Sequence, residues 1–232
     1  MKLKRLLAPK FWRIARKHFT WAISPIPGPH RKFECIPLGV ILRDILKLAE
    51  TRKEAKKIVK RGEILVDQRV RKEIGFPVGV FDTISIPRIK KHYRVVPFSN
   101  GLKLVEIDEN ESKVKVCKIV NKSKVKKGKI QLHLNDGRNI LLEENGFKTG
   151  DSLLIELPSQ KILKHIKLEK GNLAMVVKGS NIGKIVRIKE IIPGKFKQPS
   201  KVICEHEGKT IEILKEHLVV IGEKEPLIKV IE

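Results

Sequence analysis

The sequence predicts an α+β, multi-domain protein, and three observations lead there. Residues 37–70 carry two short helical stripes followed by a strand-turn-strand. Beyond residue 99 the apolar residues are largely Ile, Leu and Val, alternating with polar ones in short runs that end at glycines. The chain has 232 residues, enough for one large domain or two to three small ones, and aromatics make up only 5% of it. The expected organisation is an extended basic N-terminal arm over residues 1–36 and a small two-helix/strand domain over 37–98. A central β domain over 99–168 and a small C-terminal β-barrel over 169–232 follow.

In the arm, Lys2, Lys4, Arg5, Lys10, Arg13, Arg16 and Lys17 all precede the first acidic residue, Glu34. Trp12 and Trp21 interleave with them. Pro25, Pro27 and Pro29 in SPIPGPH disfavour helix and favour an extended track. A disordered tail is the plain reading. Two tryptophans among arginines point instead to a segment, mobile in isolation, that orders on RNA and stacks on unpaired bases.

In the next domain Leu38, Ile41, Leu42, Ile45 and Leu48 repeat at the spacing of one apolar helical stripe, with Arg43 and Lys47 on its flank. Thr51 and Glu54 have the spacing of a capping box that opens a second helix. Ala55, Ile58 and Val59 form its buried stripe, while Lys53, Lys56, Lys57 and Lys60 line the opposite face. Gly62 fits the left-handed position after the helix. Ile64, Leu65 and Val66, a turn at Asp67-Gln68 and Val70 complete the motif. Val80, Ile84 and Ile86, then Tyr93, Val95 and Phe98, suggest further strands. A charged helix face is ordinarily just solvated, but solvated faces mix signs to gain i,i+4 pairs. This row has one sign, so its mutual repulsion calls for an anion.

In the central domain VKVCKIV alternates at Val114, Val116 and Ile119. Ile130, Leu132 and Leu134 lead to Asp136-Gly137 and then Ile140 and Leu142, a hairpin with an expected type I′ turn. GDSLLIELP and KILKHIKL add two strands. From residue 169 an apolar strand enters the loop Lys178 to Gly183, and Ile185, Val186 and Ile188 leave it. Further strands are expected at Lys201 to Cys204, Thr210 to Leu214 and His217 to Ile221. Five short strands with glycine corners fit a small barrel.

The net charge of +24 and the isoelectric point near 10.1 point to a polyanionic partner. A membrane surface is the rival polyanion, but no apolar run approaches the roughly 18 residues of a spanning helix. The first residues lack the apolar stretch of a secretory signal, and an Arg/Lys-rich organelle presequence is a minor alternative. Cys35, Cys117 and Cys204 are far apart, with no C-x-x-C pair and no histidine cluster beside them. No metal site is therefore expected, and the odd, scattered thiols suit a reducing compartment. The Walker, dinucleotide, nucleophile-elbow and zincin patterns are missing. No catalytic residue is nominated, and the chain is expected not to be an enzyme.

Several stretches together closely resemble a known family over nearly the whole chain. They are LKRLLAPKFW, PGPH at 27–30, the segment from PLGVILRDILKLAETRKEAKKIVKRGEILVDQRV to FDTISI, HLNDGRNI, and GDSLLIELP through NLAMVVKGSNIGKI. The family is the archaeal and eukaryotic version of ribosomal protein four of the small subunit. The resemblance implies an alpha-L RNA-binding domain, a central β domain and a KOW-type barrel behind the basic arm. It implies a structural role on small-subunit rRNA beside neighbouring ribosomal proteins, bound to cytoplasmic ribosomes. Catalysis, cofactor, metal, membrane and small-molecule substrate are not implied. RNA contacts are expected from Lys4, Arg5, Lys10, Trp12, Arg13 and Arg16 in the arm. The family's helix pair falls on Arg43, Lys47, Thr51, Arg52, Lys53, Lys56, Lys57, Lys60 and Arg61. Its KOW loop falls on Gly179, Ser180, Asn181, Gly183 and Lys184. Gln68 and Lys178 depart from the pattern, each standing where relatives usually have glycine. The alternatives are a non-ribosomal RNA-binding regulatory factor and an RNA-modifying enzyme with an alpha-L accessory domain.

Overall fold

A computed structural model describes residues 3–99, 101–125, 128–143, 146–196 and 198–230, so Lys2 of the basic arm lies outside the described residues. The described chain is mostly antiparallel sheet with few, short helices. It forms two compact units: residues 1–96 with 100–113, and residues 97–99 with 114–232.

The first unit begins with a correction. Residues 3–36 do not form a detached arm. β1 (Leu3–Lys4) pairs with β2 (Trp21–Ala22), and β3 (Ile36–Pro37) pairs with Pro77–Val78. Two short 3₁₀ turns, Arg5–Leu7 and Lys10–Trp12, separate β1 from β2. They help place Leu3, Ala8, Trp12, Ala22 and Ile23 in the same core as the helices. Three-residue turns are too short to show a helical period, which is why the sequence reads as structureless. Trp12 is only 1% exposed, and its Nε1 donates to Cys35 O at 2.9 Å. Arg5, 2% exposed, donates through Nη2 to Asp44 Oδ1 at 2.7 Å and through Nε to Ala15 O. SPIPGPH forms neither helix nor strand, and it bends over residues 27–30. It is nonetheless pinned. Ile26 N donates to Gly75 O at 2.9 Å, and His30 Nε2 hydrogen-bonds Asp82 Oδ2 at 2.9 Å.

The first predicted helix is also different. Leu38 to Val40 form α1, but Ile41–Ile45 continue as a π-helix. Leu46 N reaches back five residues to Ile41 O at 2.8 Å. The wider turn breaks the predicted stripe. Leu48 is turned out to 40% exposure, and Ala49 is buried instead. α2 (Arg52–Lys60) follows after a tight cap. The sheet runs β5-β4-β7-β8-β9, formed by β4 (Leu65–Val66), β5 (Arg69–Val70), β7 (Thr83–Ile86), β8 (Lys91–Phe98) and β9 (Gly101–Ile107). β6 (Pro77–Val78) stays apart with β3. The turn between β4 and β5 holds Asp67 at φ 51 and Gln68 at φ 58. Both are left-handed, so the non-glycine Gln68 carries steric strain. Its side chain offsets this by donating to Ser112 Oγ at 2.9 Å and Ser112 O at 3.2 Å. Ser112 ends the short helix α3 (Glu109–Ser112).

The second unit holds two five-stranded sheets. One has the order β12-β11-β10-β13-β14, from β10 (Val114–Lys124), β11 (Ile130–Leu134), β12 (Asn139–Leu142), β13 (Ser152–Glu156) and β14 (Ile162–Ile166). The Asp136-Gly137 hairpin forms, but not as a two-residue type I′ turn. Leu134 N pairs with Arg138 O at 2.9 Å, and Gly137 alone takes positive φ, at 77°. That is a three-residue loop with glycine at its left-handed position. It leaves Asp136 buried, with its carboxylate 3.0 Å from Lys115 Nζ.

The other sheet has the order β18-β17-β16-β15-β19, from β15 (Leu173–Val176), β16 (Ile185–Ile192), β17 (Lys201–His206), β18 (Lys209–Leu214) and β19 (Leu218–Gly222). Strands thus form in each stretch where alternation predicts them after residue 169. β10 departs from the alternation read from its sequence, because Lys115, Val116, Cys117, Lys118 and Ile119 are all buried. It is a central strand covered on both faces. Lys118 Nζ donates to Lys215 O at 2.7 Å, Glu216 O at 3.1 Å and Leu218 O at 2.7 Å. All three ammonium donors are matched to carbonyls at the entry to β19. Burial, together with the charges of Lys215 and Lys178, pushes this ammonium down to about 8.

Replacing Lys118 by Met leaves the length of the side chain and removes the three donors. The orphaned carbonyls should lower stability by about 1–3 kcal/mol. Urea unfolding that matches wild type would show that the ammonium contributes nothing net to the fold.

Candidate nucleic-acid interface

The candidate face is built on α2. Thr51 Oγ1 accepts from Glu54 N at 3.2 Å, and Glu54 Oε2 accepts from Thr51 N at 3.3 Å and Glu50 N at 2.9 Å. Those backbone donors hold the Glu54 carboxyl below its usual range. The only carboxylate on α2 is therefore occupied at the N-terminus, where it also faces the positive end of the helix dipole. Ala55 and Val59 are buried and Ile58 is half-buried, so the opposite face must point outward. Lys53, Lys56, Lys57 and Lys60 are all exposed. These four ammonium groups take part in no ion pair among the described residues. Arg52 and Arg61 extend the face at either end. Arg61 is only loosely held, with Nη1 3.8 Å from Glu63 Oε1. Gly62 takes the left-handed conformation expected of it, at φ 77.

Other residues singled out from sequence divide into two groups. Lys4, Lys10, Arg13 and Lys47 are exposed. Arg5, Trp12, Arg16, Arg43 and Thr51 are engaged by the fold. Trp12 and Arg5 lie inside the first unit, so neither offers its face to a base. Arg16 donates to Leu6 O at 2.8 Å and Ala8 O at 3.0 Å. Arg43, with its side chain 8% exposed, sits 2.8 Å from Asp44 Oδ2 and beneath the Phe19 ring. Sequence reasoning missed Asp44 as their common partner. Spacing within one helix shows no link to Arg5, 39 residues away.

The loop between β15 and β16 presents Lys178, Gly179 and Ser180 to solvent, with Asn181, Gly183 and Lys184 half-buried. Lys184 Nζ donates to Asn181 Oδ1 at 3.0 Å, and Gly183 N donates to Val176 O at 2.8 Å. Gly179 and Gly183 both take positive φ, at 93° and 87°. Their roles differ. A Cβ on Gly183 would stand 2.7 Å from Phe98 Cα, whereas one on Gly179 would meet nothing nearer than 3.4 Å. Gly183 is fixed by packing, and Gly179 keeps an open backbone.

Among the described residues no group of three or more His, Cys, Asp and Glu side chains could hold a metal ion. No helix among them is long and apolar enough to cross a membrane. The three cysteines are buried, and none is in a disulfide among the described residues. Burial, with Asp82 and Glu34 nearby, pushes the Cys35 thiol up to about 12, and burial pushes Cys204 up to about 11. Both stay protonated at neutral pH, the opposite of a reactive thiolate.

These features define a basic, mostly-β protein that carries a one-signed charged face on a small helix-and-strand module. Residues 38–84 match the S4 domain model, residues 1–32 the RS4NT (NUC023) domain, and residues 89–162 the ribosomal family S4e. Small ribosomal subunit protein eS4 of Ignicoccus hospitalis is 42% identical over 241 residues, covering 99% of this chain and 94% of that protein. The eS4 protein of Methanocaldococcus jannaschii is 43% identical over 236 residues, covering 98% and 96%. The crystal structure of the 30S ribosomal protein S4e from Thermoplasma acidophilum superimposes with a TM-score of 0.71 at 29% identity, covering 82% of this chain and 96% of that one. The chain belongs to the ribosomal S4e family.

Two outcomes are expected. Gly183→Val forces a β-branched residue into positive φ and against the Phe98 backbone, so thermal unfolding should shift down by about 1–3 kcal/mol of strain or more. A melting curve superimposable on wild type would remove Gly183 from its assigned corner. Cys35 and Cys204 should resist an aromatic disulfide reagent at pH 8 in the native protein and react on unfolding. Rapid native labelling of either would contradict their burial.

Proposed function

We propose that the chain is a structural constituent of the small ribosomal subunit that binds and organises rRNA without catalysing a reaction. The single observation that carries this reading is the row Lys53, Lys56, Lys57 and Lys60, of one sign and without ion pairs among the described residues, on the S4-type helix. The near full-length likeness to small-subunit proteins supports it. Each ammonium that meets a phosphate releases a condensed counterion. Side chains cannot read the deep groove of A-form RNA, so specificity comes from shape and unpaired bases.

In this reading residues 37–98 act as an alpha-L RNA-binding domain and 99–168 as a central β domain. Residues 169–232 act as a KOW-type barrel, and the basic segment 1–36 widens the surface of the first unit. Arg52, Arg61, Lys47, Lys4, Lys10 and Arg13 supply further phosphate contacts from exposed positions. Lys184, Asn181, Ser180 and Gly179 supply them from the loop before β16. Arg5, Trp12, Arg16, Arg43, Thr51 and Gly183 contribute by holding those surfaces in place. Several RNA-binding modules on one chain raise the effective concentration of each for its own site. The partners are small-subunit rRNA and neighbouring ribosomal proteins, and the protein resides on cytoplasmic ribosomes.

The test is to change Lys53, Lys56, Lys57 and Lys60 together to Gln. Gln has nearly the helix propensity of Lys, and removing four like charges relieves repulsion, so stability should hold or rise. Affinity for small-subunit rRNA should fall. The slope of log K against log salt should become shallower by roughly 0.7–0.9 for each phosphate that is no longer neutralised. Unchanged affinity and slope in a folded quadruple variant would place this face in solvent.

A further inference from the structure

The proline segment that sequence reading assigns to an arm builds one wall of a groove in the first unit. The groove has a volume of about 1040 Å³ and is lined by Trp21, Ile26, Arg31, Lys32, Arg52 and Glu73, among others. Its wall is preorganised. The prolines limit the backbone. Ile26 N is tied to Gly75 O, and His30 to Asp82. The two glycines are seated so closely that a Cβ on Gly28 would lie 2.6 Å from Pro77 Cγ and one on Gly75 2.9 Å from Ser24 O. Trp21 keeps 45% of its surface exposed beside this wall, in contrast to the enclosed Trp12. Arg52, the first residue of α2, joins the groove to the ammonium row. Three cations line it against one carboxylate, Glu73.

We infer that this groove binds an unpaired RNA segment, with a base stacked on Trp21 and the adjoining phosphates met by Arg31, Lys32 and Arg52. An aromatic platform beside a cationic track is how sequence-tolerant single-strand binding works. The excess of positive charge favours a nucleotide strand over an extended peptide. The rigid wall means that little ordering cost opposes binding. The inference rests on the rRNA-binding reading and adds to it a site for unpaired nucleotides distinct from the phosphate-neutralising helix face.

The experiment uses the full chain, a labelled single-stranded oligouridylate and an RNA duplex of similar length. Trp21→Ala should weaken binding of the single strand by about tenfold, the scale of one base-aromatic stack. Trp21→Phe should recover most of that loss, and duplex binding should not change. Arg31→Gln with Lys32→Gln should weaken single-strand binding and flatten its salt dependence. A nucleotide photocrosslink should map to residues 21–32. The inference is overturned if folded Trp21→Ala binds the single strand as wild type does, if it loses single strand and duplex equally, or if a proline-rich peptide competes for the groove where oligouridylate does not. The lysine quadruple variant runs alongside. If it weakens rRNA binding while the Trp21 and Arg31/Lys32 variants do not, the groove assignment alone fails. If wild type does not bind small-subunit rRNA, the broader reading fails.

Discussion

The fold depends on placing its few carboxylates against the cations it must bury. The chain carries 50 Lys and Arg residues against 26 Asp and Glu. A cation taken out of water without a partner is costly, so each buried one needs a carboxylate or a set of carbonyls. Asp44 serves Arg5 and Arg43, Glu111 serves Arg94, and Asp136 serves Lys115. Lys118 takes three carbonyls instead. Acidic groups drawn inward in this way cannot neutralise the surface. The lysines of α2, which take part in no ion pair among the described residues, stay on the outside.

Asp44 shows how this arrangement reaches the functional surface. By holding Arg5 from the N-terminal segment and Arg43 from its own π-helix, it fastens residues 3–36 onto the S4-type core. His30 and the backbone of Ile26 add further ties, to Asp82 and Gly75. The consequence is a basic surface that is largely formed before any polyanion arrives. Ordering a free arm on binding would oppose association by its conformational entropy, and this segment has already met that cost in folding.

The β4–β5 turn and the β15–β16 loop handle backbone strain in different ways. Gln68 accepts a left-handed backbone and regains hydrogen bonds to Ser112 through its side chain. Lys178 needs no such compensation, because the positive φ falls on the next residue, Gly179. Gln68 adds a link inside the first unit, and Lys178 adds an exposed charge to a loop that already presents an open backbone.

What could be read from the chain alone is local, because its signals lie within a few residues of one another. The Thr51–Glu54 cap, the opposed stripes of α2, the left-handed Gly62 and the short strands after residue 169 were all legible, because periodicity and capping chemistry act between near neighbours. The basic face was legible for the same reason, since charges three and four residues apart on a capped helix must lie together. Which of the other cations face solvent was settled by packing between distant segments. Nothing near Arg5 announces Asp44, nothing near Lys118 announces the carbonyls before β19, and nothing near Trp12 announces Cys35. The groove beside Trp21, which joins residues 21–32 to Arg52 and Glu73, arises from the same long-range packing. Burial is a property of what comes to lie against a residue, and in these cases that neighbour is tens of residues away along the chain.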